Sequence, residues 1–183
     1  MRTRIRARGL VARGFTLVEL LVVMAIIGLL ASVLIPNLLD ALHKARQKRA
    51  MVDVRGIGTA WMAWLTDQAG AASAGAAKFY NTNGYIEVAF PDLYSYLRPT
   101  DTFFYAQDVP STDPWGGAYR FAMGAISGNR VDSLLVCSPG RGLVLEYCTD
   151  TNIPVAPFLS TDYNQDIVWA DGYFVRWPAG RAQ

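Results

Sequence analysis

Glu19 is the residue whose type and position most clearly predict chemistry. It lies in a run of 21 residues, 15–35, that contains no other charged side chain. A carboxylate near the centre of a bilayer costs about 2.5–3.5 kcal/mol, so such acids usually have a partner and a function. A cut after Gly14 would create a cation nearby, the α-amino group of Phe15, in the same chain or a neighbouring one. The sequence therefore predicts that Glu19 pairs with an amine during assembly; a carboxylate that only reaches the membrane surface is the alternative.

The apolar run predicts the element that positions Glu19, a membrane-spanning helix. A helix of this length covers about 31 Å, close to the thickness of the hydrocarbon core. The run also explains why only 17% of the residues are charged, against about 25% in soluble domains. Residues 1–14 hold five arginines and no acid, which places them on the cytoplasmic side. We expect a basic leader at 1–14 and a membrane helix at 15–36, since the apolar region of a secretory signal is only about 7–15 residues long.

The remaining side chains argue against an enzyme. One histidine, His43, and two cysteines exclude a zinc site with four thiolates and any site with two histidine ligands. No pattern pairs two carboxylates for acid–base catalysis. The formal net charge of +2 is too small for a strongly basic nucleic-acid binder. We therefore predict a protein that is not an enzyme and has no nucleic-acid partner.

A second helical segment is predicted at residues 37–68, amphipathic and basic. Its apolar residues form two spacing sets: Leu38, Leu42 and Ala45, and then Val54, Ile57, Trp61 and Trp64. Its cations are Lys44, Arg46, Lys48, Arg49 and Arg55, with His43 expected on the same solvated face. Without the leader the chain has twelve basic and fifteen acidic side chains, and residues 56–183 alone have a net charge of −5. The basic face is therefore predicted to meet acidic residues of neighbouring heads, or alternatively anionic lipid.

Residues 69–183 predict a small mixed head. Short β-branched or aromatic segments separated by turn residues indicate strands, at 118–123, 131–137, 143–147, 167–170 and 173–177. A short helix is predicted at 91–97, because proline fits a helix start, and Asp171-Gly172 predicts a tight hairpin. The fold class is α+β, with a long N-terminal helix packed on a small antiparallel sheet. The aromatic side chains of Tyr94, Tyr96 and Phe104 are expected in the core, or alternatively at a ligand site.

The segment Arg13-Gly14-Phe15-Thr16-Leu17-Val18-Glu19 resembles the cleavage and methylation motif of type IV prepilins and pseudopilins. This resemblance implies that a prepilin peptidase cuts after Gly14 and methylates the new N-terminal Phe15. It implies that Glu19 is the assembly acid and that the fold is pilin-like. It also implies that the helix loosens around Gly28 and Pro36 when the subunit assembles.

The turn Thr112-Asp113-Pro114-Trp115-Gly116-Gly117-Ala118-Tyr119 and the hairpin segment Asp166-Ile167-Val168-Trp169 resemble the major pseudopilin of type II secretion systems. The resemblance implies a filament of identical subunits, whose partners are the prepilin peptidase, an inner-membrane assembly platform and minor pseudopilins. It places the subunit in the inner membrane, with a periplasmic head, before it joins a periplasmic or extracellular filament. The alternatives are a type IV pilus subunit for adhesion, motility or DNA uptake, and a membrane-anchored binding protein. In the turn, Trp115 is expected to be a buried anchor.

Relatives in that family bind calcium in the loop before the last hairpin. Here the segment 138–142 lacks the first acid and the segment 164–167 keeps only one, so Asp150, Asp162 and Asp166 remain as candidate calcium ligands. Cys137 and Cys148 flank the altered stretch, and an oxidising exterior favours their pairing. We predict a disulfide that stabilises this loop; two buried free thiols are the alternative.

Overall fold

One long helix leads into the head in the computed structural model, which describes residues 14–73, 84–125, 133–144 and 153–180. Helix α1 spans Leu17–Ser73 and contains Pro36 in its interior. The chain divides into two compact units, Met1–Leu39 and Asp40–Gln183. The leader residues 1–13 lie outside the described residues.

The first unit contains the apolar half of α1. Its large side chains are exposed, from Leu17 at 86% to Val23 at 45%. An 18-residue window of this helix has a mean hydropathy of 2.8, with none of the window buried. By length and composition, this helix can cross a membrane.

The second unit contains a six-stranded sheet. Its strands are β1 Gly84–Val88, β2 Arg120–Ala125, β3 Ser133–Ser138, β4 Ala156–Leu159, β5 Ile167–Ala170 and β6 Tyr173–Ala179. Their order across the sheet is β1-β2-β3-β5-β6-β4. All neighbouring pairs are antiparallel except β4 and β6, which are parallel. A short helix, α2, spans Phe90–Leu97. The predicted α+β class is confirmed, with one parallel pair that the sequence did not indicate.

Two strands of the structure, β1 and β4, were not predicted from the sequence, and one predicted strand does not begin where it was expected. β1 lies outside every segment predicted as a strand, and β4 contains Pro157, which weakens a strand pattern. The strand expected at 143–147 does not begin at Leu143. This residue has a φ of 55° and follows the 3-10 turn Gly140–Gly142, while residues 145–147 lie outside the described residues.

The core of the head lies between α1 and the sheet. The second apolar set of α1 is buried as expected, with Val54 and Trp61 at 0%, Ile57 at 3% and Trp64 at 5% exposed. The first set differs, because Leu38 is 61% and Leu42 is 47% exposed. Among the predicted aromatics, Tyr96 packs against the core and stacks on Trp64, with ring centroids 4.7 Å apart. Tyr94 and Phe104 are 40% and 42% exposed.

The helix approaches the sheet most closely at Gly58. A Cβ atom built there would lie 2.4 Å from the ring of Trp169 on β5, so only glycine permits this contact. The hairpin between β5 and β6 is formed as predicted. Asp171 and Gly172 both have positive φ, 50° and 102°, as in the tight turn that matches strand twist.

We predict that Gly58→Ala destabilises the head, because the methyl group would push Trp169 out of its position. Overpacking of this kind costs about 1–3 kcal/mol. The measurement is the free energy of unfolding of the purified full chain in detergent, by denaturant titration.

Gly56→Ala provides the matched control, since the space around Gly56 is open. Alanine is the better helix former by about 0.8–1.0 kcal/mol, so this variant should be as stable as the wild type or more so. Equal effects of the two substitutions would contradict the close contact at Gly58.

Candidate functional site

The N-terminus of α1 contains the residues that the sequence singled out. Gly14 and Phe15 precede the helix and are exposed, Phe15 at 78%. The backbone N–H of Thr16 donates to Glu19 Oε2 at 2.9 Å, and the Thr16 hydroxyl donates to the same oxygen at 2.8 Å. In return, the N–H of Glu19 donates to Thr16 Oγ1 at 3.3 Å.

This reciprocal arrangement is a capping box, in which two side chains satisfy backbone donors at the start of a helix. The functional part of Thr16 goes beyond its place in the cleavage motif, and the Thr-x-x-Glu spacing is a local sequence signal for it. Both bonds from Thr16 end on Oε2, and within the described residues no hydrogen bond reaches Oε1 of Glu19. The carboxylate is therefore positioned by its own chain and retains one oxygen for a further donor.

Gly28 and Pro36 both lie inside the continuous helix α1. The space around Gly28 is open. Loosening of the helix at these two residues stays a prediction, because it concerns an assembled state.

A second cluster, here called the helix clasp, fastens the middle of α1 to the head. It consists of Asp40, His43, Trp115 and Tyr163. The Tyr163 hydroxyl donates to Asp40 Oδ1, and Lys44 forms an ion pair with the other oxygen of Asp40. The His43 and Tyr163 rings are 5.1 Å apart, and Trp115 Nε1 donates to His43 Nδ1 at 3.5 Å.

The helix clasp corrects the expectation for His43. It is half-buried against two aromatic rings rather than part of a solvated face. Its contacts come from residues 72 and 120 positions later in the chain, beyond the reach of a helical pattern. Burial, together with the hydrogen bond to Asp40, raises the pKa of Tyr163 to about 12.

The turn at 112–119 is organised by Asp113 rather than by Trp115. Asp113 is 4% exposed, whereas Trp115 is only half-buried, which corrects the expected role of the tryptophan. Asp113 Oδ1 accepts the N–H groups of Trp115 at 3.0 Å and Gly117 at 2.8 Å. Its Oδ2 accepts the hydroxyl of Ser138 at 2.9 Å. A buried acid thus receives donors from two segments of the head.

The remaining predicted site residues are only partly described. Cys137 is fully buried and disulfide-bonded, while Cys148 lies outside the described residues, so the pairing of these two stays a prediction. Asp150 also lies outside. Asp162 is half-buried and Asp166 is 2% exposed, and within the described residues no three His, Cys, Asp or Glu side chains form a metal-binding group.

The solvent face of α1 is basic. Lys48, Arg49 and Arg55 are exposed, and Val52 between them is 69% exposed. Arg49 is within 3.8 Å of Asp53, but its side chain remains 76% exposed. Asp92, Asp101 and Asp108 are exposed on the head.

Comparison with known proteins supports the resemblance. A family model described as the prokaryotic N-terminal methylation motif matches residues 11–35. The type II secretion system core protein G of Escherichia coli (strain K12) is 33% identical over 109 residues, 58% of this chain and 69% of the relative. The protein of the same name in Vibrio cholerae is 47% identical over 113 residues, 59% of this chain and 68% of the relative.

Pilus proteins match over shorter stretches. The type IV major pilin protein PilA of Myxococcus xanthus is 38% identical over 56 residues, 31% of this chain and 26% of the relative. No solved structure matches the chain. The names of these relatives describe components of secretion systems and pili, and the resemblance drawn from the sequence is confirmed.

We predict that Tyr163 ionises near pH 12 rather than near 10, the ordinary value for tyrosine. The folded state holds this proton more tightly than the unfolded state. The resulting stability is therefore complete below about pH 10 and is lost as the pH rises through about 12. The difference in tyrosinate absorbance between wild type and Tyr163→Phe gives the titration curve of this one phenol. Tyr173→Phe, which removes the hydroxyl of an exposed tyrosine, is the matched control for the loss of one phenol. A Tyr163 midpoint near 10 would contradict the contact with Asp40.

We predict that the two cysteines form one disulfide, because Cys137 is disulfide-bonded and the chain has two cysteines. The intact mass of the denatured protein should rise by about 2 Da on reduction, with one intramolecular bridge in the monomer. Reduction should also lower stability by about 2–4 kcal/mol. An unchanged mass, or a covalent dimer before reduction, would exclude the bridge between Cys137 and Cys148.

Proposed function

The chain belongs to the family of type II secretion system core protein G, and on that premise we propose that it is the structural subunit of a type II secretion pseudopilus. The observation that carries this proposal is the extent of the match. The E. coli and V. cholerae relatives align over 109 and 113 residues, well beyond the N-terminal motif. The role is mechanical: subunits leave the membrane, their helices form the filament core and their heads form its surface.

The exposed apolar half of α1 supports this role. Side chains such as Leu17 and Leu29, 86% and 69% exposed, have to be covered by lipid or by other apolar helices, because their hydration is unfavourable. In the membrane the lipid covers them. In a filament the same surface is covered by the helices of neighbouring subunits.

Glu19 sets the alignment of neighbouring helices when the subunit moves from the membrane into the filament. After a prepilin peptidase cuts behind Gly14, the methylated amine of Phe15 is a cation at the end of each helix. The amine of one subunit neutralises Glu19 of its neighbour, and Thr16 holds the carboxylate through Oε2 so that Oε1 receives the amine. An acid buried between apolar helices without this partner would be strongly unfavourable.

Charge on the outer surface supports contacts between heads. The exposed cations Lys48 and Arg55 lie on α1, and the exposed acids Asp92, Asp101 and Asp108 lie on the head. Two different complementary patches on one chain make a head-to-tail contact, which generates an open helical filament when the rotation does not close. We propose that the basic face of one subunit meets the acidic head of the next.

The proposed location follows from the same features. The apolar helix and the methylation motif indicate a membrane anchor. We propose that the leader faces the cytoplasm, that the head is in the periplasm, and that the subunit then joins a periplasmic or extracellular filament. Its partners are the peptidase, an inner-membrane platform and minor pseudopilins, with an external ATPase supplying the energy.

A type IV pilus subunit is the second candidate. The matches to pilins of Myxococcus xanthus and Thermus thermophilus favour it, but these cover only 31% and 19% of this chain. The N-terminal mechanism is the same in both cases. Deleting the gene distinguishes them: we expect loss of protein secretion, whereas loss of motility or DNA uptake with intact secretion would favour the pilus.

We predict that Glu19→Ala leaves membrane insertion intact but prevents incorporation into filaments. Leaving one partner of a buried ion pair unpaired costs about 3–5 kcal/mol, so incorporation should fall at least about a hundredfold. The measurement is the ratio of subunit in sheared filaments to subunit in the membrane fraction, by immunoblot in cells that carry the assembly machinery.

Glu19→Gln is the matched variant that separates two roles of the same side chain. Glutamine still completes a capping box with Thr16 but carries no charge. Loss of filaments with Gln as well as Ala supports pairing with the amine. Normal filaments with Gln but not with Ala would show that Glu19 only caps the helix, and normal filaments with both would show that assembly needs neither role. Either result would contradict the assembly mechanism.

A further inference from the structure

A buried guanidinium lies where the loop between β4 and β5 meets the sheet. Arg176 is on β6, opposite Val168 of β5 and Ala156 of β4. It is 7% exposed, and its Cζ lies 6.0 Å from the ring centroid of Phe158. A cation is buried at this depth only where bonded groups compensate for the loss of water.

Arg176 begins a chain of hydrogen bonds into the loop. Its Nη2 donates to Gln165 Oε1 at 2.6 Å, and Gln165 Nε2 donates to Asp162 Oδ2 at 3.1 Å. The other oxygen of Asp162 accepts the N–H of Asn164 at 3.2 Å. One positive charge therefore orients an amide, and the amide orients a carboxylate, across residues 162–165.

The same oxygens are those that a calcium ion would need. Calcium takes six to eight oxygen ligands, usually including several carboxylates, but within the described residues no three His, Cys, Asp or Glu side chains form such a group. Both oxygens of Asp162 accept hydrogen bonds from the loop instead. The Tyr163 carbonyl accepts the N–H of Arg141 at 2.8 Å. The turn at Gly140 fills the adjacent space, since a Cβ there would lie 2.6 Å from the Gln165 carbonyl oxygen. The described residues around Asp162 do not fit a calcium ion.

We propose that Arg176 is a fixed internal cation of this head and that the β4–β5 loop needs no divalent metal. The guanidinium supplies positive charge to the loop from within the sheet. Gln165 links the two charged groups by hydrogen bonds, since its oxygen accepts from Arg176 and its nitrogen donates to Asp162. The arrangement is covalently part of the chain, so the loop is ordered whatever the calcium concentration outside the cell.

The consequence reaches α1 through the helix clasp. Tyr163 lies between Asp162 and Gln165 in the sequence, and its hydroxyl donates to Asp40 of α1. Because Arg176 orders this loop, it also positions the Tyr163 hydroxyl for its hydrogen bond to α1. This inference concerns the stability of the head and does not depend on the proposed filament role.

The test uses the purified full chain in detergent, with thermal unfolding followed by intrinsic fluorescence. Samples contain EDTA, calcium or magnesium, the last as a control for ionic strength. A ligand at about 100 times its Kd raises the Tm of a domain this size by roughly 5–10 °C. We expect the three Tm values to agree within about 1 °C, and titration calorimetry with calcium alone to show no binding. A calcium-specific rise of about 5 °C or more, or measurable calcium binding to the head, would overturn the proposal.

Arg176→Met removes the cation and keeps an apolar side chain of similar length. It should lower Tm by about 4–8 °C, equally in EDTA and in calcium. The matched control is Arg120→Met, whose ion pair with Glu87 is about half exposed and should change Tm by no more than about 2 °C. An effect of Arg176→Met no larger than that of the control would also overturn the proposal, and the calcium comparison in the wild type decides the question if the variant does not fold.

Discussion

The structure depends on one constraint, an apolar helix surface that has to stay out of water. Within the described residues of the first unit, 14–39, the large apolar side chains are exposed along the helix and form no core. Lipid or neighbouring helices have to supply the missing environment. A single acid in that surface, Glu19, makes the choice of environment selective, because it is favourable only where a cation is present. The capping box with Thr16 shows that the subunit alone already satisfies half of that carboxylate.

The head contains the second half of α1, from Asp40 onward. Trp61, Trp64 and Gly58 pack α1 against the sheet, and the helix clasp adds polar contacts about four to seven turns earlier in the helix. These contacts come from segments far apart in the chain, the turn around Asp113 and the loop around Tyr163. Asp113 and Arg176, both buried, hold those segments in place by hydrogen bonds rather than by apolar packing.

Local patterns in the sequence predicted the parts of this molecule that are local. The methylation motif, the buried set Val54 to Trp64 and the Asp171-Gly172 turn depend on neighbours within a few residues. The surroundings of His43 and Trp115 differ from the prediction, because these two side chains contact each other from positions 72 residues apart, which no local pattern reveals. β4 shows no clear strand pattern, since it has only four residues and one of them is proline. Its parallel pairing with β6 cannot be inferred from a local sequence pattern. The capping role of Thr16 is also local, since the Thr-x-x-Glu spacing specifies it.

The position of Pro157 has a consequence for a protein that polymerises. β4 and β1 are the two edges of the sheet, and sheet edges invite strand addition from other chains, which leads to aggregation. β4 is only four residues long and contains a proline without an N–H to donate. On the opposite edge, β1 carries the charge of Glu87, paired with Arg120. Both edges thus discourage amyloid-like stacking of heads, which leaves the helix as the route for ordered polymerisation.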